Sequence, residues 1–265
     1  MLDNATLANL NALKLVGFAD GLQEQRARTD VHTMSFEERL ALLVDRELAS
    51  RTDRKRARLL QRARLKMPTA TVEDADFTDV RGLDRRTLTS LALSGWIDNG
   101  EAILLGGATG VGKTWLACAL GQYACRRGRS ALYLRVPRLA EELKALRASG
   151  GLRRWLAELA RTEVLILDDW GTGSLEPAMR SDLLEIVDDR AGERATIVTH
   201  QLPVEHWHGW IGDATIAEAI LDRLLQRVHR FTLEGPSRRT ANRPGKARSG
   251  ASPAPAATPE KEARR

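Results

Sequence analysis

The stretch AILLGGATGVGKT, residues 102–114, decides the fold class of this chain. Its last eight residues match the pattern G-x-x-x-x-G-K-[ST] at every fixed position, and an apolar run precedes them. Glycines in such a loop let successive backbone N–H groups point at phosphate oxygens, and the following helix adds the positive end of its dipole. The sequence therefore predicts a strand, a phosphate-binding loop and a helix, in that order.

The predicted loop gives its polar residues distinct tasks. Lys113 is the positive charge for the β- and γ-phosphates, and the Thr114 hydroxyl is the expected Mg²⁺ ligand. A nucleoside triphosphate with Mg²⁺ is the ligand that we predict from this pattern. The predicted nucleotide contacts are Gly107, Ala108, Thr109, Gly110, Val111, Gly112, Lys113, Thr114 and Trp115.

An acidic pair ends the run VLILDD, residues 164–169. Asp168 and Asp169 follow an apolar strand directly, and open α/β sheets bind their ligands at that end of a strand. We predict that Asp168 holds Mg²⁺ through water and that Asp169 orients or deprotonates the attacking water as a general base. A turn or a helix cap after the strand is the alternative explanation.

Two later stretches supply further candidates. ATIVTHQLP carries Thr199, His200 and Gln201, which would lie between the phosphate loop and the acidic pair, close to the γ-phosphate; an ordinary strand-end turn is the alternative. Arg223 and Arg227 lie four residues apart on one predicted helix face. An arginine supplied in trans can neutralise transition-state charge during γ-phosphate hydrolysis, so both are candidates, and surface ion pairing is the alternative.

Apolar runs alternate with helical stretches from about residue 71 onward. This order predicts an α/β fold in which a parallel sheet is covered by helices on both faces. The predicted strands are 102–107, 131–136, 164–169, 195–200 and 230–235.

The segment before residue 71 is predicted to be helical. Ser35 and Glu38 have the spacing of a capping box, and a long helix is expected from there toward Pro68. Between Arg51 and Lys66 the chain carries eight basic residues and one acidic residue. Such a stretch can follow a phosphate backbone, and it can also be a solvated helix face. The apolar face expected for this helix consists of Leu40, Leu43, Val44, Leu48 and Leu59.

Charge is unevenly distributed along the 265 residues, which carry a formal net charge of +6. Residues 1–70 hold 13 Lys and Arg against 9 Asp and Glu, residues 71–235 hold 20 against 24, and residues 236–265 hold 8 against 2. A phosphate polymer is the partner that two basic ends predict. Because only 5% of the residues are aromatic and no base-stacking platform emerges, we expect contacts to phosphates with little sequence specificity.

Composition excludes several classes of protein. Two cysteines, Cys118 and Cys125, exclude a disulfide scaffold and a four-cysteine zinc site. No apolar run approaches the roughly 18–20 residues that span a bilayer, so no membrane association is expected. The N-terminus lacks a basic region followed by an apolar one, so the cytoplasm is the predicted compartment. A transporter ATPase would need an LSGGQ-like signature and a P-loop kinase an arginine-rich lid, and neither is evident.

Four stretches together carry a resemblance to a known family: GATGVGKTWLACALG, LILDDWG, TIVTHQLPVEHWH and AILDRLLQRVHR. They resemble the IstB-type transposition helper ATPases of bacterial insertion sequences, which belong to the AAA+ class and are similar to DnaC-like helicase loaders. The resemblance runs from the N-terminal helices to about Arg239. It implies a P-loop AAA+ core preceded by a small all-helical N-terminal domain.

The resemblance also implies an activity and partners. It indicates an ATP-dependent homo-oligomer that assembles on double-stranded DNA and stimulates the element's transposase, with ATP hydrolysis as the switch. A replicative helicase loader is the alternative. The expected divisions are a basic helical domain for DNA binding or assembly (1–70), the ATPase domain (71–240) and a disordered basic Pro/Ala-rich tail (241–265).

The resemblance also implies a role for each motif residue, according to its position in the motif. The lysine and threonine of the phosphate loop are the Walker A residues, and the aspartate pair is Walker B. Thr199 or Gln201 corresponds to sensor 1. Arg223, within the D-R-L of the late helix, is the implied arginine finger, and Arg238 or Arg239 stands where the family has a final basic residue near the nucleotide.

Overall fold

A five-stranded parallel sheet lies at the centre of the computed structural model, which describes residues 2–78, 82–93 and 95–238. The strand order is β2-β3-β4-β1-β5, and each neighbouring pair runs parallel. The predicted α/β fold is confirmed, and β5 begins two residues before the predicted run. The strands are β1 (Ala102–Gly107), β2 (Ala131–Arg135), β3 (Val164–Trp170), β4 (Ala195–His200) and β5 (Val228–Leu233).

Helices cover both faces of this sheet and form the N-terminal region. The N-terminal region contains α1 (Leu2–Ala12), α2 (Val16–Ala27) and α3 (Phe36–Ala63). The remaining helices are α4 (Arg85–Leu93), α5 (Lys113–Arg126), α6 (Val136–Ala148), α7 (Leu152–Arg161), α8 (Pro177–Asp188), α9 (Trp207–Ile211) and α10 (Ala214–Leu225). None of the helices among the described residues is both long enough and apolar enough to cross a lipid bilayer.

The sheet separates two apolar clusters. Successive residues of a strand point to opposite faces, so Ile166 of β3 packs with α5 while Leu165 and Leu167 pack with α6 and α8. Each of these three side chains is fully buried. Burial on both faces explains why the strands appear in the sequence as continuous apolar runs rather than alternating ones.

The start of α3 has the predicted capping box. The Ser35 hydroxyl accepts the Glu38 N–H at 3.2 Å, and the Glu38 carboxylate accepts the Ser35 N–H at 2.8 Å. The helix ends at Ala63, earlier than Pro68, because Arg64 takes the left-handed conformation with φ of 50°. The predicted apolar face is only partly covered, since Leu43 is buried whereas the other members at 40, 44 and 48 are exposed.

The C-terminal end of α3 packs on the sheet domain. Ala63 and Leu65 belong to the apolar cluster that contains α5, where Gly121 leaves room for the Leu65 side chain. The division at residue 70 stays a prediction, as do the other two divisions. The tail 241–265 and Arg239 lie outside the described residues.

Candidate nucleotide-binding site

The predicted site residues meet at the carboxyl edge of the sheet. The phosphate loop follows β1, the acidic pair lies near the end of β3 just before Trp170, and β4 lies between those two strands. Thr199, near the end of β4, is therefore placed between the loop and the acidic pair, as the sequence predicted. This arrangement follows from the strand order, because the carboxyl ends of parallel strands share one edge.

Backbone conformation explains two glycines of the loop. Gly107 and Gly110 have φ of 136° and 86°, which L side chains rarely adopt. A Cβ atom at Gly107 would collide with the backbone carbonyl of Leu233, and one at Gly110 would collide with the Ser237 side chain. The loop thus needs glycine for both its conformation and its close packing on the segment after β5.

Lys113 is the first residue of α5, and its side chain folds back over the loop. The ammonium donates to the carbonyl oxygens of Gly107 and Ala108, both at 2.7 Å. Lys113 is almost fully buried, so its charge is concentrated within the loop rather than dispersed in solvent. An anion held by the loop would therefore meet a preformed positive charge.

Asp168 is fully buried and accepts hydrogen bonds on both carboxylate oxygens. Oδ1 accepts the hydroxyls of Thr114 at 2.8 Å and Thr199 at 2.6 Å. Oδ2 accepts the hydroxyl of Tyr133 at 2.6 Å and lies 3.9 Å from the Lys66 ammonium. A buried carboxylate needs such donors and positive charge to offset the loss of hydration.

The donor set at Asp168 suits Mg²⁺. A carboxylate oxygen and a threonine hydroxyl, 2.8 Å apart, are both hard oxygen ligands of the kind that Mg²⁺ prefers. Thr114 lies in the loop that the phosphates would occupy, so the metal and a phosphate oxygen could share this position. The residues present therefore fit the predicted magnesium site.

Tyr133 acts as a hydrogen-bond donor at this site. Burial and the hydrogen bond to Asp168 raise the pKa of the Tyr133 hydroxyl far above its ordinary value. The phenol consequently keeps its proton at all physiological pH values and holds Oδ2 of Asp168 in place.

Asp169 has an unusual backbone. Its φ is 62°, and the β3–β4 pairing is irregular between Leu167 and Trp170, so the acidic pair interrupts the regular strand pairing. The Asp169 N–H donates to the Thr199 hydroxyl at 3.0 Å, and its carboxylate accepts Nε–H of Arg135 at 2.7 Å. The hydrogen bond to Asp169 raises the pKa of Arg135. The two aspartates thus point to different partners although they are adjacent.

Residues after Thr199 also contact the phosphate loop. The Thr109 hydroxyl donates to the side-chain carbonyl of Gln201 at 2.7 Å. Nδ1 of His200 lies 2.9 Å from the Leu202 carbonyl, so Nδ1 carries the proton. Burial lowers the pKa of His200, which favours the neutral ring. Gln201 is therefore the polar side chain of this turn that reaches the loop directly.

A small cavity adjoins the loop on the side of the segment after β5. The Arg238 N–H donates to the Gly110 carbonyl at 2.9 Å, and the Arg238 side chain pairs with Asp76. Arg238, one of the two residues that the resemblance places near the nucleotide, therefore adjoins the loop, whereas the cavity itself was not predicted. Its principal lining residues are Ala75, Asp76, Leu83, Val111, Trp115 and Leu233.

Arg223 and Arg227 lie at the opposite edge of the sheet. They line a cavity with Ala102 and Thr196, which stand at the starts of β1 and β4, while the phosphate loop follows the end of β1. Six residues of strand separate the two edges by about 20 Å. Arg223 pairs with Asp188 and donates to the Ala219 carbonyl at 3.0 Å. Neither arginine can reach the phosphate loop of its own chain.

A family profile described as IstB-like ATP binding protein matches residues 8–245. The chain belongs to this family. Membership implies nucleotide binding, and the geometry of the loop agrees with it.

Named relatives of this IstB-like protein belong to insertion sequences. An ATP-binding protein of insertion sequence IS1162 from Pseudomonas fluorescens is 52% identical over 203 residues, which cover 77% of this chain and 88% of the relative. The insertion-sequence ATP-binding protein y4pL of Sinorhizobium fredii is 46% identical over 243 residues, which cover 92% of this chain and 99% of the relative. The chain is thus an ATP-binding protein of insertion-sequence type.

Solved structures show the same fold. The DnaC helicase loader superposes with a TM-score of 0.51 at 19% identity, covering 62% of this chain and 97% of that one. DnaI superposes with a TM-score of 0.53 at 22% identity, covering 67% of this chain and 93% of the DnaI chain. These likenesses identify the P-loop AAA+ fold that the sequence resemblance implied.

Sequence reasoning missed three side chains that contact the acidic pair: Lys66 and Tyr133 at Asp168, and Arg135 at Asp169. A signal for two of them was present, because Tyr133 and Arg135 are alternate residues of the run ALYLR and must point to the same face of β2. Polar groups at that spacing in an otherwise apolar strand indicate a polar site beside it. Lys66 gave no such signal, since only the packing of Leu65 brings it to β3.

Proposed function

We propose that this chain is a Mg²⁺-dependent ATPase that oligomerises on double-stranded DNA and recruits or stimulates the transposase of its insertion sequence. The observation that carries the proposal is the set of contacts at Asp168. There the Walker A threonine, the Walker B aspartate and Thr199 of β4 form a continuous hydrogen-bonded group. This group supports the proposal, because ATP hydrolysis needs a metal-ligating hydroxyl, an acidic residue and a polar side chain close together.

In the proposed reaction, ATP and water give ADP and phosphate. Thr114 and Asp168 would hold Mg²⁺, which when bound neutralises charge on the phosphate oxygens. Lys113 transfers its hydrogen bonds from the loop carbonyls to the β- and γ-phosphates. Asp169, whose carboxylate is held by Arg135, accepts a proton from the attacking water. Thr199 and Gln201 sense whether the γ-phosphate is present.

The base of the nucleotide would occupy the cavity beside the loop. Ala75, Leu83 and Trp115 offer apolar surface for the flat ring, and Asp76 offers an acceptor for an exocyclic amine. Arg238 would adjoin the nucleotide from the segment after β5.

DNA would bind the basic face of α3, which consists of Arg51, Arg54, Lys55, Arg58 and Arg62. Their spacing of three, one, three and four residues places them on one side of the helix over about 17 Å. All five are exposed. Within the described part of the chain, Arg58 and Arg62 form no ion pair with an acidic side chain, so their charge is available to phosphates.

Oligomerisation would bring Arg223 to a neighbouring nucleotide. Arg223 cannot reach its own phosphate loop, so a role in hydrolysis requires a second copy of the chain. An exposed apolar stripe on α3 supports association as well. It consists of Phe36, Leu40, Val44 and Leu48, spaced by one helical turn.

Electron microscopy tests assembly directly. The full chain is mixed with duplex DNA and either a slowly hydrolysed ATP analogue or no nucleotide. We expect a ring or a spiral on the duplex only when nucleotide is present. Monomers on DNA under both conditions would contradict the proposal.

The salt dependence of binding tests the DNA surface. Arg58→Gln with Arg62→Gln removes two charges, and we expect the slope of log affinity against log salt to fall by about 1.8. The matched control is Arg153→Gln with Arg154→Gln on α7, which leaves the slope unchanged. An unaltered slope in the α3 variant would remove this surface from the proposal.

A helicase loader is the second candidate, supported by the fold shared with DnaC. The relatives from insertion sequences favour the transposase as partner. Stimulation of strand transfer by the transposase that a neighbouring gene encodes tests the choice. Loading of a replicative helicase without any effect on strand transfer would favour the alternative.

A further inference from the structure

The carboxylate of Asp168 joins two parts of the molecule. Its Oδ1 atom faces the phosphate loop through Thr114 and Thr199. Its Oδ2 atom faces the end of α3, where Lys66 stands 3.9 Å away. One fully buried carboxylate therefore connects the proposed metal position to the segment that follows the basic face of α3.

The backbone of this segment is held firmly against the core. A methyl carbon of Leu65 lies 3.0 Å from the position of a Cβ on Gly121, which shows how closely the two elements approach. Lys66 can therefore change partners by rotation of its side chain alone. That side chain is 38% exposed, so its ammonium has a path to solvent.

We propose that Lys66 is a positioning residue that alternates between Asp168 and DNA. Without metal, its ammonium balances the buried charge of Asp168. When Mg²⁺ and nucleotide occupy the site, two cations compete for one carboxylate, and Lys66 is displaced toward the basic face of α3. There it adds one contact to a DNA phosphate. This proposal rests on the proposed metal and DNA binding.

Coupling between the two sites follows by reciprocity. A cation at Lys66 competes with Mg²⁺, so any phosphate that captures the ammonium also strengthens Mg²⁺ binding. Nucleotide and DNA would thus reinforce each other through one side chain. No movement of α3 is needed.

The metal arm of the test omits DNA. The full chain with a fluorescent ATP analogue is titrated with Mg²⁺, and Lys66→Met should lower the half-saturating Mg²⁺ concentration about tenfold, a usual size for coupled sites. Lys66→Arg keeps the charge and should behave as wild type. Lys55→Met removes an equal charge from the basic face and should leave Mg²⁺ binding unchanged. Equal Mg²⁺ binding in Lys66→Met and wild type would overturn the proposal.

The DNA arm measures the slope of log DNA affinity against log salt concentration, with and without Mg²⁺ and the slowly hydrolysed analogue. In wild type, nucleotide should make this slope steeper. In Lys66→Met the steepening should be smaller by about 0.9 per bound subunit, because one phosphate contact is lost. Lys55→Met should lower the slope equally under both conditions and preserve the increase. A full increase in Lys66→Met would overturn the proposed exchange.

The two arms also separate this proposal from the proposed function. If the wild-type chain binds neither Mg²⁺ with nucleotide nor DNA, the proposed function fails and the role of Lys66 fails with it. If the wild-type chain binds both and Lys66→Met equals it in both arms, the proposed function stands and only the role of Lys66 is overturned.

Discussion

The sheet domain and the N-terminal helices differ in how completely their apolar residues are buried. In β3, Leu165, Ile166 and Leu167 are completely buried. In α3, Phe36 and Leu48 are 71% and 58% exposed although they have helical apolar spacing. Large apolar side chains in water are typical of surfaces that contact another molecule. The sheet domain buries its core within one chain, whereas the first half of α3 has apolar surface that the described residues of the chain do not cover.

The largest expected effect is a loss of ATP affinity, caused by a substitution in the phosphate loop that leaves the packing of the core unchanged. Lys113→Ala removes the charge that faces the β- and γ-phosphates, so we expect ATP affinity to fall about 100-fold or more. Calorimetry with ATP measures the loss. Lys144→Ala is the control, because Lys144 pairs with Glu141 and Glu176 on the surface and should not change affinity. Normal affinity in the Lys113 variant would refute the assignment of this lysine.

The next largest effect is a loss of ATP turnover without a loss of ATP binding, caused by a substitution at the acidic pair. Asp169→Asn keeps the shape of the side chain and loses the base, so we expect turnover to fall about 10²- to 10⁴-fold while ATP still binds. The assembled state on DNA should persist in this variant. Steady-state phosphate release measures turnover, with the exposed Asp189→Asn as the matched control. Unchanged phosphate release would show that another group activates the water.

A matched pair of leucines compares the two regions directly. Leu183→Ala empties a fully buried position on α8, and we expect the free energy of unfolding to fall by about 2–5 kcal/mol. Leu48→Ala on α3 should change it by less than about 0.5 kcal/mol, because that side chain is already in water. Chemical denaturation measures both. If Leu48→Ala destabilises the single chain strongly, the apolar stripe packs within the molecule rather than on a partner.

The core was predictable because its chemistry is local in sequence. A strand, the loop and the start of a helix follow one another at 102–114, and the acidic pair lies at the end of an apolar run. Each motif was therefore recognisable from the residues directly around it. Placement of Thr199 between them was also predicted, and the strand order agrees. The predicted start of β5 was late by two residues, because the preceding helix was predicted to include Arg227 and the residues after it, whereas α10 ends at Leu225.

Other features depend on tertiary contacts that periodicity does not encode. Lys66 reaches Asp168 only because Leu65 packs against α5, and Asp76 meets Arg238 across 162 positions of sequence. The end of α3 was placed too late because a left-handed Arg64 stops the helix before the proline does. Side chains that complete the site were therefore found only when the fold brought distant segments together.

The smallest expected effect tests whether the N-terminal helices behave independently of the ATP site. Ser35→Ala removes one half of the capping box of α3, and we expect the helix start to lose about 1 kcal/mol. Hydrogen exchange of the amides in the first turn of α3 should accelerate about fivefold, whereas exchange in β3 stays the same. Ser149→Ala after α6 is the control, because its exposed hydroxyl donates only to the neighbouring Leu146 carbonyl. ATP affinity should equal that of wild type, since the cap lies at the end of α3 remote from Lys66. A lower ATP affinity would mean that the whole length of α3 supports the nucleotide site, and the contrast between the two regions would then not hold.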